Sequence, residues 1–161
     1  GDGPGAPVAV HLPNSPVIAT GKRDGSKIRL PNGNYLEETA SYYVMIETKT
    51  GGYTPALITM KSTQLNVSKK WNSMMKTIQI PDGKGGFAIP PMHGVVYNLA
   101  STLQKNDKGS WYGWVVTQDR IMGQNDKALY LDAKSFAGNV SKGSVQTKAD
   151  VEETSSDSTP Y

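Results

Sequence analysis

Two tryptophans and one tyrosine lie within four consecutive positions of the segment GSWYGWVV, residues 109–116. Strand cores are usually built from aliphatic side chains, so three large rings at this density also suit a surface that stacks other flat groups. Because side chains alternate along an extended chain, Tyr112 and Trp114 share one face and Trp111 lies on the other. At least one ring is therefore left on the side away from a core, where it can stack a nucleic-acid base for about 1–3 kcal/mol.

Lysines and a glycine add to this pattern. Gly113 separates the two tryptophans, and its missing side chain lets a flat ring or another backbone approach closely. Lysines neutralise phosphates while aromatic rings stack bases, so a single-strand binding surface needs the two interleaved. The candidate DNA-contacting residues are Trp111, Tyr112, Trp114, Tyr43, Tyr97, Lys69, Lys70, Lys76, Lys84, Lys105 and Lys108.

A purely structural interpretation stays open for these residues. Trp114 can pack against the last helix, Trp111 can cover the end of a barrel, and the lysines can simply keep an outer face solvated. The same rings also suit a protein interface, where Trp and Tyr are enriched among the residues that dominate binding.

The residues that most catalytic and metal chemistry needs are scarce. The chain has no cysteine, which excludes disulfides, thiolate metal sites and thiol nucleophiles. Its two histidines, His11 and His93, are far apart and lack a motif, and the aspartates form no repeated carboxylate pattern. The run at residues 81–86 matches neither a Walker nor a dinucleotide pattern. We predict no catalytic residue, no metal and no cofactor; an enzyme of nucleic-acid metabolism would need acids gathered only by the fold.

Charge is unevenly distributed along the chain. The net charge is +3, but residues 149–161 hold four acids and no base, so the other residues carry +7. A basic body with an acidic tail favours a polyanionic partner, although a solvated surface with a disordered end has the same composition. No run of eighteen apolar residues exists, so we expect no membrane span.

Alternation and turn signals predict two hairpins and two long helices. Residues 41–48 and 53–60 form the first hairpin, and residues 95–103 and 110–116 form the second. A helix of about fifteen residues is expected from an N-cap at Ser62, and a last helix is expected from a cap at Asn125 or Asp126. The predicted buried stripes are Val67, Trp71, Met74 and Ile78, then Leu129, Ala133, Phe136, Ala137 and Val140.

This order of elements predicts a mainly β fold with two helices. A small OB-like barrel, with a helix between its third and fourth strands, fits the order, and so does a generic α+β sandwich. We expect a flexible N-terminal arm at residues 1–26, an OB-like single-stranded DNA-binding domain at 27–142 and a disordered acidic tail at 143–161.

Two runs in the middle of the chain, STQLNVSKKWNSMM from Ser62 and NDKGSWYGWVV from Asn106, resemble segments of small phage-encoded proteins, some of them single-stranded DNA-binding. This resemblance covers roughly residues 36–136. The tail EETSSDSTPY resembles the C-terminal tip of bacterial and phage single-stranded DNA-binding proteins, with tyrosine in place of the final phenylalanine. The tail residues concerned are Asp150, Glu152, Glu153, Asp157, Pro160 and Tyr161.

The resemblance implies a non-catalytic OB-fold protein that coats single-stranded DNA during phage replication or recombination, in the cytoplasm of an infected bacterium. In that family the tip docks partner enzymes and competes with nucleic acid for the basic groove. The tail here is therefore expected to recruit replication or recombination proteins, and a homo-oligomer is compatible with this role. The alternative is a phage structural or host-interaction protein that uses the aromatic strand as a protein interface.

Overall fold

The computed structural model describes residues 9–25 and 27–145 of the chain. Its contacts divide the chain into two compact units, Gly1–Thr39 and Ala40–Tyr161. The described residues are mainly in β-structure, as predicted, with nine strands and three helices. The predicted number of two helices is wrong because the single turn α1 (Pro16–Ala19) is also helical. A proline at the first position favours that turn, since it has no N–H to leave unpaired.

The N-terminal unit is a small antiparallel sheet of three strands, β1 (Lys22–Asp24), β2 (Lys27–Arg29) and β3 (Tyr35–Leu36). The Tyr35 hydroxyl donates to Asp24 Oδ2 at 3.0 Å, and Arg29 Cζ lies 5.7 Å from the centroid of the Tyr35 ring. One ring thus joins side chains from all three strands. Both α1 and β1 lie within residues 1–26, the predicted arm.

The second unit contains the first predicted hairpin from Ala40 onward, and the structure confirms this hairpin as β4 (Thr39–Glu47) and β5 (Tyr53–Lys61). The Thr48 N–H donates to the Gly52 carbonyl at 2.7 Å and closes the turn. Gly51 adopts a φ of 82°, a left-handed conformation that glycine reaches without steric cost.

The first long helix is confirmed as α2 (Leu65–Thr77), but it begins later than predicted. A 3₁₀ turn at Ser62–Gln64 precedes it, and Gln64 takes the N-cap position in place of Ser62. Ser62 has a φ of 53°, so the chain turns sharply there between β5 and the helix. Of the predicted stripe, Trp71 and Ile78 are buried, and Val67 and Met74 are half-buried.

The core of the second unit lies between β5 and α2. Ile58 and Met60 from the strand and Trp71 from the helix form the buried cluster. The Trp71 ring lies 4.4 Å from the Tyr42 ring and meets Tyr97 edge-on at 5.6 Å, measured between centroids. These contacts join the first hairpin and the second hairpin through one helix side chain.

The second predicted hairpin is confirmed and is longer than predicted. It consists of β8 (Val95–Asn106) and β9 (Gly109–Ile121), paired antiparallel along their length with an irregularity between Val96 and Tyr97. At about 3.3 Å per residue the ribbon is about 40 Å long. Two short strands, β6 (Ile80–Pro81) and β7 (Phe87–Ala88), pair with each other before it.

The sheets do not close into a barrel within the described residues. Strands β1 to β3 form one sheet, while β4–β5, β6–β7 and β8–β9 form three separate two-stranded sheets. A barrel needs hydrogen bonds around a closed ring of strands, and here each hairpin bonds only within itself. The predicted OB-like barrel is therefore not confirmed, and α2 follows the fifth strand of the chain instead of the third.

The last helix, α3 (Lys127–Ser141), packs mainly against a 3₁₀ turn at Met92–Gly94. The rings of His93 and Tyr130 lie 5.2 Å apart at this contact. Its predicted stripe is less covered than expected because a short turn, and not a sheet face, lies against it. Ala133 is buried, whereas Leu129, Phe136, Ala137 and Val140 are half-buried. No helix of residues 9–25 or 27–145 is long and apolar enough to cross a membrane.

Asp126 stands at the N-cap position of α3, as predicted, but its carboxylate binds groups that precede the helix. Its Oδ2 accepts the Gly123 N–H at 3.0 Å, and its Oδ1 pairs with Arg120 Nη2 at 3.0 Å. These bonds, first that from Arg120, lower the pKa of Asp126. Arg120 Nη1 also pairs with Asp119 at 2.9 Å, so the network ties the end of β9 to the start of α3.

We expect Asp126→Asn to destabilise the protein at neutral pH and to have a smaller effect in acid. A carboxyl whose folded pKa is lowered stabilises the fold above its unfolded value of 3.8, and this contribution is lost as the pH falls through the folded value. Urea unfolding at neutral pH and at about pH 3 tests this. Asp107→Asn, in the exposed turn of the second hairpin, is the control; a penalty for Asp126→Asn that is independent of pH would contradict the expectation.

Candidate nucleic-acid interface

Facing residues of the β8–β9 ribbon share one of its two faces. On one face, Leu99 is opposite Val116, Ser101 is opposite Trp114, Leu103 is opposite Tyr112, and Lys105 is opposite Ser110. Trp111 and Gly113 are on the other face. The predicted separation of Tyr112 and Trp114 from Trp111 is therefore confirmed.

The face that carries Leu99, Tyr112 and Trp114 packs against the core at one end of the ribbon and is exposed at the other end. Leu99 packs against the core cluster around Trp71. Towards the turn of the ribbon, Tyr112 is 74% exposed, Leu103 is 60% exposed and Trp114 is 37% exposed. Bases can reach these rings without displacing the core. We call the exposed set, Leu103, Lys105, Tyr112 and Trp114, the aromatic face.

Trp111 lies on the other face of the ribbon, where neighbouring residues partly cover its ring. It is half-buried, and its indole Nε1 is buried without a hydrogen-bond partner among the described residues. It lines a shallow cavity of about 310 Å³ between the ribbon turn and the 3₁₀ turn at Ser62–Gln64. The rings of the segment that are available for stacking are therefore Tyr112 and Trp114.

Gly113 is approached closely, as the sequence predicts, but by amide side chains and not by a ring. A Cβ at this position would lie 2.5 Å from Gln64 Nε2 and 2.5 Å from Gln104 Nε2. Gln64 Oε1 accepts the Trp114 N–H at 2.9 Å. Gln64, the residue before α2, thereby bonds to the edge of β9 that does not pair with β8 and fixes the backbone at Trp114.

We expect Gly113→Ala to cost about 0.5–1.5 kcal/mol in the free energy of unfolding, because the new methyl group must displace the ends of the Gln64 and Gln104 side chains and break the Gln64 bond to Trp114. Urea unfolding measures this. Gly123→Ala is the control, since a Cβ there meets nothing within 4 Å; it should change stability by no more than about 0.5 kcal/mol. Equal effects at the two glycines would show that space over Gly113 is not limiting.

The other two predicted rings lie outside the aromatic face. Tyr97 packs edge-on against Trp71. Its hydroxyl is buried without a partner in the part of the chain that the structure describes, and burial raises the pKa of Tyr97. Tyr43 is exposed, but it belongs to β4, which is part of a different sheet. As DNA contacts, Tyr97 and Tyr43 stay predictions that the aromatic face does not include.

The six predicted lysines are all exposed, and the fold spreads them over three elements. Lys105 and Lys108 are on the ribbon, Lys69, Lys70 and Lys76 are on α2, and Lys84 is in the loop between β6 and β7. In that loop Asp82 Oδ1 accepts the N–H groups of Lys84 and Gly86, at 2.8 and 2.9 Å, and these bonds lower the pKa of Asp82. A carboxylate thus organises the loop around Lys84. The ribbon itself carries Lys105 and Lys108 beside its rings.

Two features of this surface escape sequence reasoning. Leu103 alternates with Leu99 and so reads as core, whereas the ribbon extends past the core and leaves it exposed. Ser62 and Thr63 are more than forty residues from the aromatic segment, yet they reach the ribbon turn. No local pattern signals such a contact, because it depends on how α2 is placed.

The described residues include no group of three or more His, Cys, Asp or Glu side chains arranged to hold a metal ion. His93 packs against the ring of Tyr130. The absence of catalysis stays a prediction. The predicted partner-binding tail, with Asp150, Glu152, Glu153, Asp157, Pro160 and Tyr161, lies outside the described residues.

Comparison with known proteins gives one family. A family model described as Pam3 phage gp34-like protein matches residues 2–146. No curated protein and no solved structure matches the chain. Because the family model spans most of the chain, the protein is a phage protein and belongs to the Pam3 phage gp34-like family.

Proposed function

We propose that this phage protein is a non-catalytic single-stranded DNA-binding protein that acts in replication or recombination. The observation that carries the proposal is the aromatic face, where Tyr112 and Trp114 are exposed on one side of a ribbon with Lys105 beside them. Exposed rings next to a cation match both parts of a single strand, its bases and its phosphates.

The spacing of the two rings suits successive nucleotides. Tyr112 and Trp114 are two residues apart on β9, which places them about 7 Å apart along the strand. Neighbouring bases of an extended strand can then use separate rings. Bases in a duplex are stacked on one another and paired, so their faces are not available to such a surface, and we expect a preference for single strands.

Charge supports the same partner. The chain outside residues 149–161 carries +7, and the exposed lysines of α2 and the ribbon contribute to it. Lys105 and Lys108 lie at the turn end of the ribbon, where the DNA strand would extend beyond the two rings. Each phosphate that a lysine neutralises releases counterions, so binding should weaken steeply as the salt concentration rises.

The proposal does not need a closed barrel. OB-folds bind oligonucleotides on an open sheet surface, and a two-stranded ribbon with rings on one side offers the same kind of surface. From the OB-like fold predicted by the order of elements, the proposal keeps only this kind of open binding surface.

The acidic C-terminal tail is proposed to recruit replication or recombination proteins in the cytoplasm of the infected bacterium. Its residues 149–161 carry four acids and no base, so the segment should compete with DNA for the basic surface. We expect removal of residues 149–161 to leave the affinity for oligo-dT unchanged or raised. Fluorescence anisotropy of a labelled oligonucleotide measures this, and a marked loss of affinity would remove the competing role of the tail.

Tryptophan fluorescence tests the proposed function most directly. Titration with an unstructured oligo-dT at two salt concentrations should quench the emission strongly, less at the higher salt, and duplex DNA should quench it weakly. A protein that binds no oligo-dT at low salt would overturn the proposal.

One observation favours the second candidate, a phage structural or host-interaction protein. Leu103 is 60% exposed beside the rings, and an aliphatic side chain contributes more to a protein contact than to a base stack. Salt separates the two functions, because an apolar protein interface changes little with ionic strength while phosphate binding weakens.

A further inference from the structure

A shallow cavity of about 310 Å³ lies beside the aromatic face, between the turn of the ribbon and the 3₁₀ turn before α2. We call it the turn cavity. The residues of its lining that matter here are Ser62, Thr63, Lys108, Ser110 and Trp111. Ser110 faces Lys105 across the ribbon and so belongs to the same face as Tyr112 and Trp114. The cavity therefore adjoins the proposed stacking surface.

The lining of the turn cavity is rich in hydrogen-bond donors. Ser62, Thr63 and Ser110 each bring a hydroxyl, and Lys108 brings an ammonium group. No carboxylate of the described residues lines the cavity; Asp107, in the same turn, is not part of the lining. Asn106 Oδ1 accepts the Lys108 N–H at 2.8 Å and fixes the backbone that carries this lysine. Such a donor set suits an anion with several acceptor oxygens.

One of the residues that line the cavity has a donor without a partner among the described residues. The indole Nε1 of Trp111 is buried and unbonded. An indole N–H can only donate, and leaving a buried donor unpaired is unfavourable, so an acceptor is missing at this position. An oxygen of a bound anion would supply it after a small movement of the ring.

The backbone at the cavity wall has one property that suits the same ligand. Ser62 is held at a φ of 53°, a conformation that is unfavourable for any residue with a Cβ and that persists mostly at ligand sites and sharp turns.

We infer that the turn cavity binds a phosphate group. Resting on the proposed function, we assign this group to the DNA backbone: bases stack on Tyr112 and Trp114, and an adjoining phosphate is held by Thr63, Lys108 and the Trp111 indole. In this role the Trp111 indole donates a hydrogen bond to the DNA backbone and does not stack on a base.

The indole N–H signals of the three tryptophans, observed by ¹⁵N–¹H correlation NMR, test the assignment. Trp111→Phe and Trp114→Phe identify two of the signals. A phosphodiester oligo-dT should move both the Trp111 and the Trp114 signals. A methylphosphonate oligo-dT, which keeps the bases but has an uncharged backbone, should move the Trp114 signal alone. Inorganic phosphate at millimolar concentration should move the Trp111 signal alone.

Two variants add a second readout. Thr63→Val keeps the shape of the side chain but removes a donor, and we expect about a tenfold loss of affinity for oligo-dT. Lys108→Gln should reduce the slope of log affinity against log salt by about 0.7, the value for one phosphate contact to a single strand. Lys49→Gln, the same change in the turn of the first hairpin, is the matched control and should leave the slope unchanged.

The outcomes separate this inference from the proposed function. If oligo-dT binds and moves the Trp114 signal while Trp111 is unaffected and Thr63→Val binds normally, the turn cavity is not a phosphate site, although the proposed function stands. If inorganic phosphate moves the Trp111 signal but oligo-dT does not bind, the cavity is a phosphate site whose ligand is not DNA. If neither ligand moves either signal, both proposals are wrong.

Discussion

The double replacement of Tyr112 and Trp114 by alanine should weaken oligo-dT binding by about 2–6 kcal/mol, since each stacked base contributes about 1–3 kcal/mol. Both rings are exposed on the aromatic face, so their removal leaves the core cluster intact. The free energy of unfolding should fall by no more than about 2 kcal/mol, mostly through the two lost cross-strand contacts with Ser101 and Leu103. Fluorescence anisotropy of a labelled oligonucleotide and urea unfolding measure the two quantities.

Phe87→Ala is the matched control for this experiment. Phe87 is 70% exposed, but it lies on β7 and not on the ribbon. Its removal should leave the affinity for oligo-dT unchanged, which separates a specific surface from a general effect of exposed rings. If the double variant binds oligo-dT as tightly as the native protein does, the aromatic face is not where bases stack.

Trp71→Ala should lower the free energy of unfolding by about 3–5 kcal/mol, the usual cost of removing a large buried ring. Trp71 is buried in the core cluster and contacts Tyr42 and Tyr97 from the two hairpins. The Tyr42 hydroxyl, on β4, lies 2.6 Å from Ser68 Oγ, and Ser68 is on the same helix as Trp71. The loss of Trp71 therefore also loosens this polar contact. Urea unfolding followed by circular dichroism measures the effect.

Two comparisons support the interpretation of that result. Trp71→Phe keeps a ring in the core and should cost less than the alanine variant, because within residues 9–25 and 27–145 the Trp71 indole nitrogen has no hydrogen-bond partner to lose. Met60→Ala and Met92→Ala form a matched pair, since Met60 is fully buried and Met92 is exposed. Only the first should be costly, by about 2–5 kcal/mol. A Trp71→Ala protein as stable as the native one would mean that the core lies elsewhere.

The hairpins and long helices were predictable from the sequence because their signals are local. Alternation along residues 41–48 and 110–116 and glycine-containing turns identify strands that pair with near neighbours, and both hairpins form. The stripe of α2 likewise places Trp71 in the core. Closure into a barrel was not predictable in this way, because it depends on hydrogen bonds between hairpins that no local pattern encodes.

The same distinction between local signals and contacts of distant elements applies to the candidate site. Sequence alone determined that Tyr112 and Trp114 share a face opposite Trp111, since strand geometry has a period of two. Only the tertiary structure decided which face is exposed and how far along it exposure begins, because that depends on where the core ends. It placed Tyr97 beside Trp71, left Leu103 at the surface and brought Ser62 to the ribbon turn. Alternation specifies which side chains lie together, and packing between distant elements specifies which of them are available to a ligand.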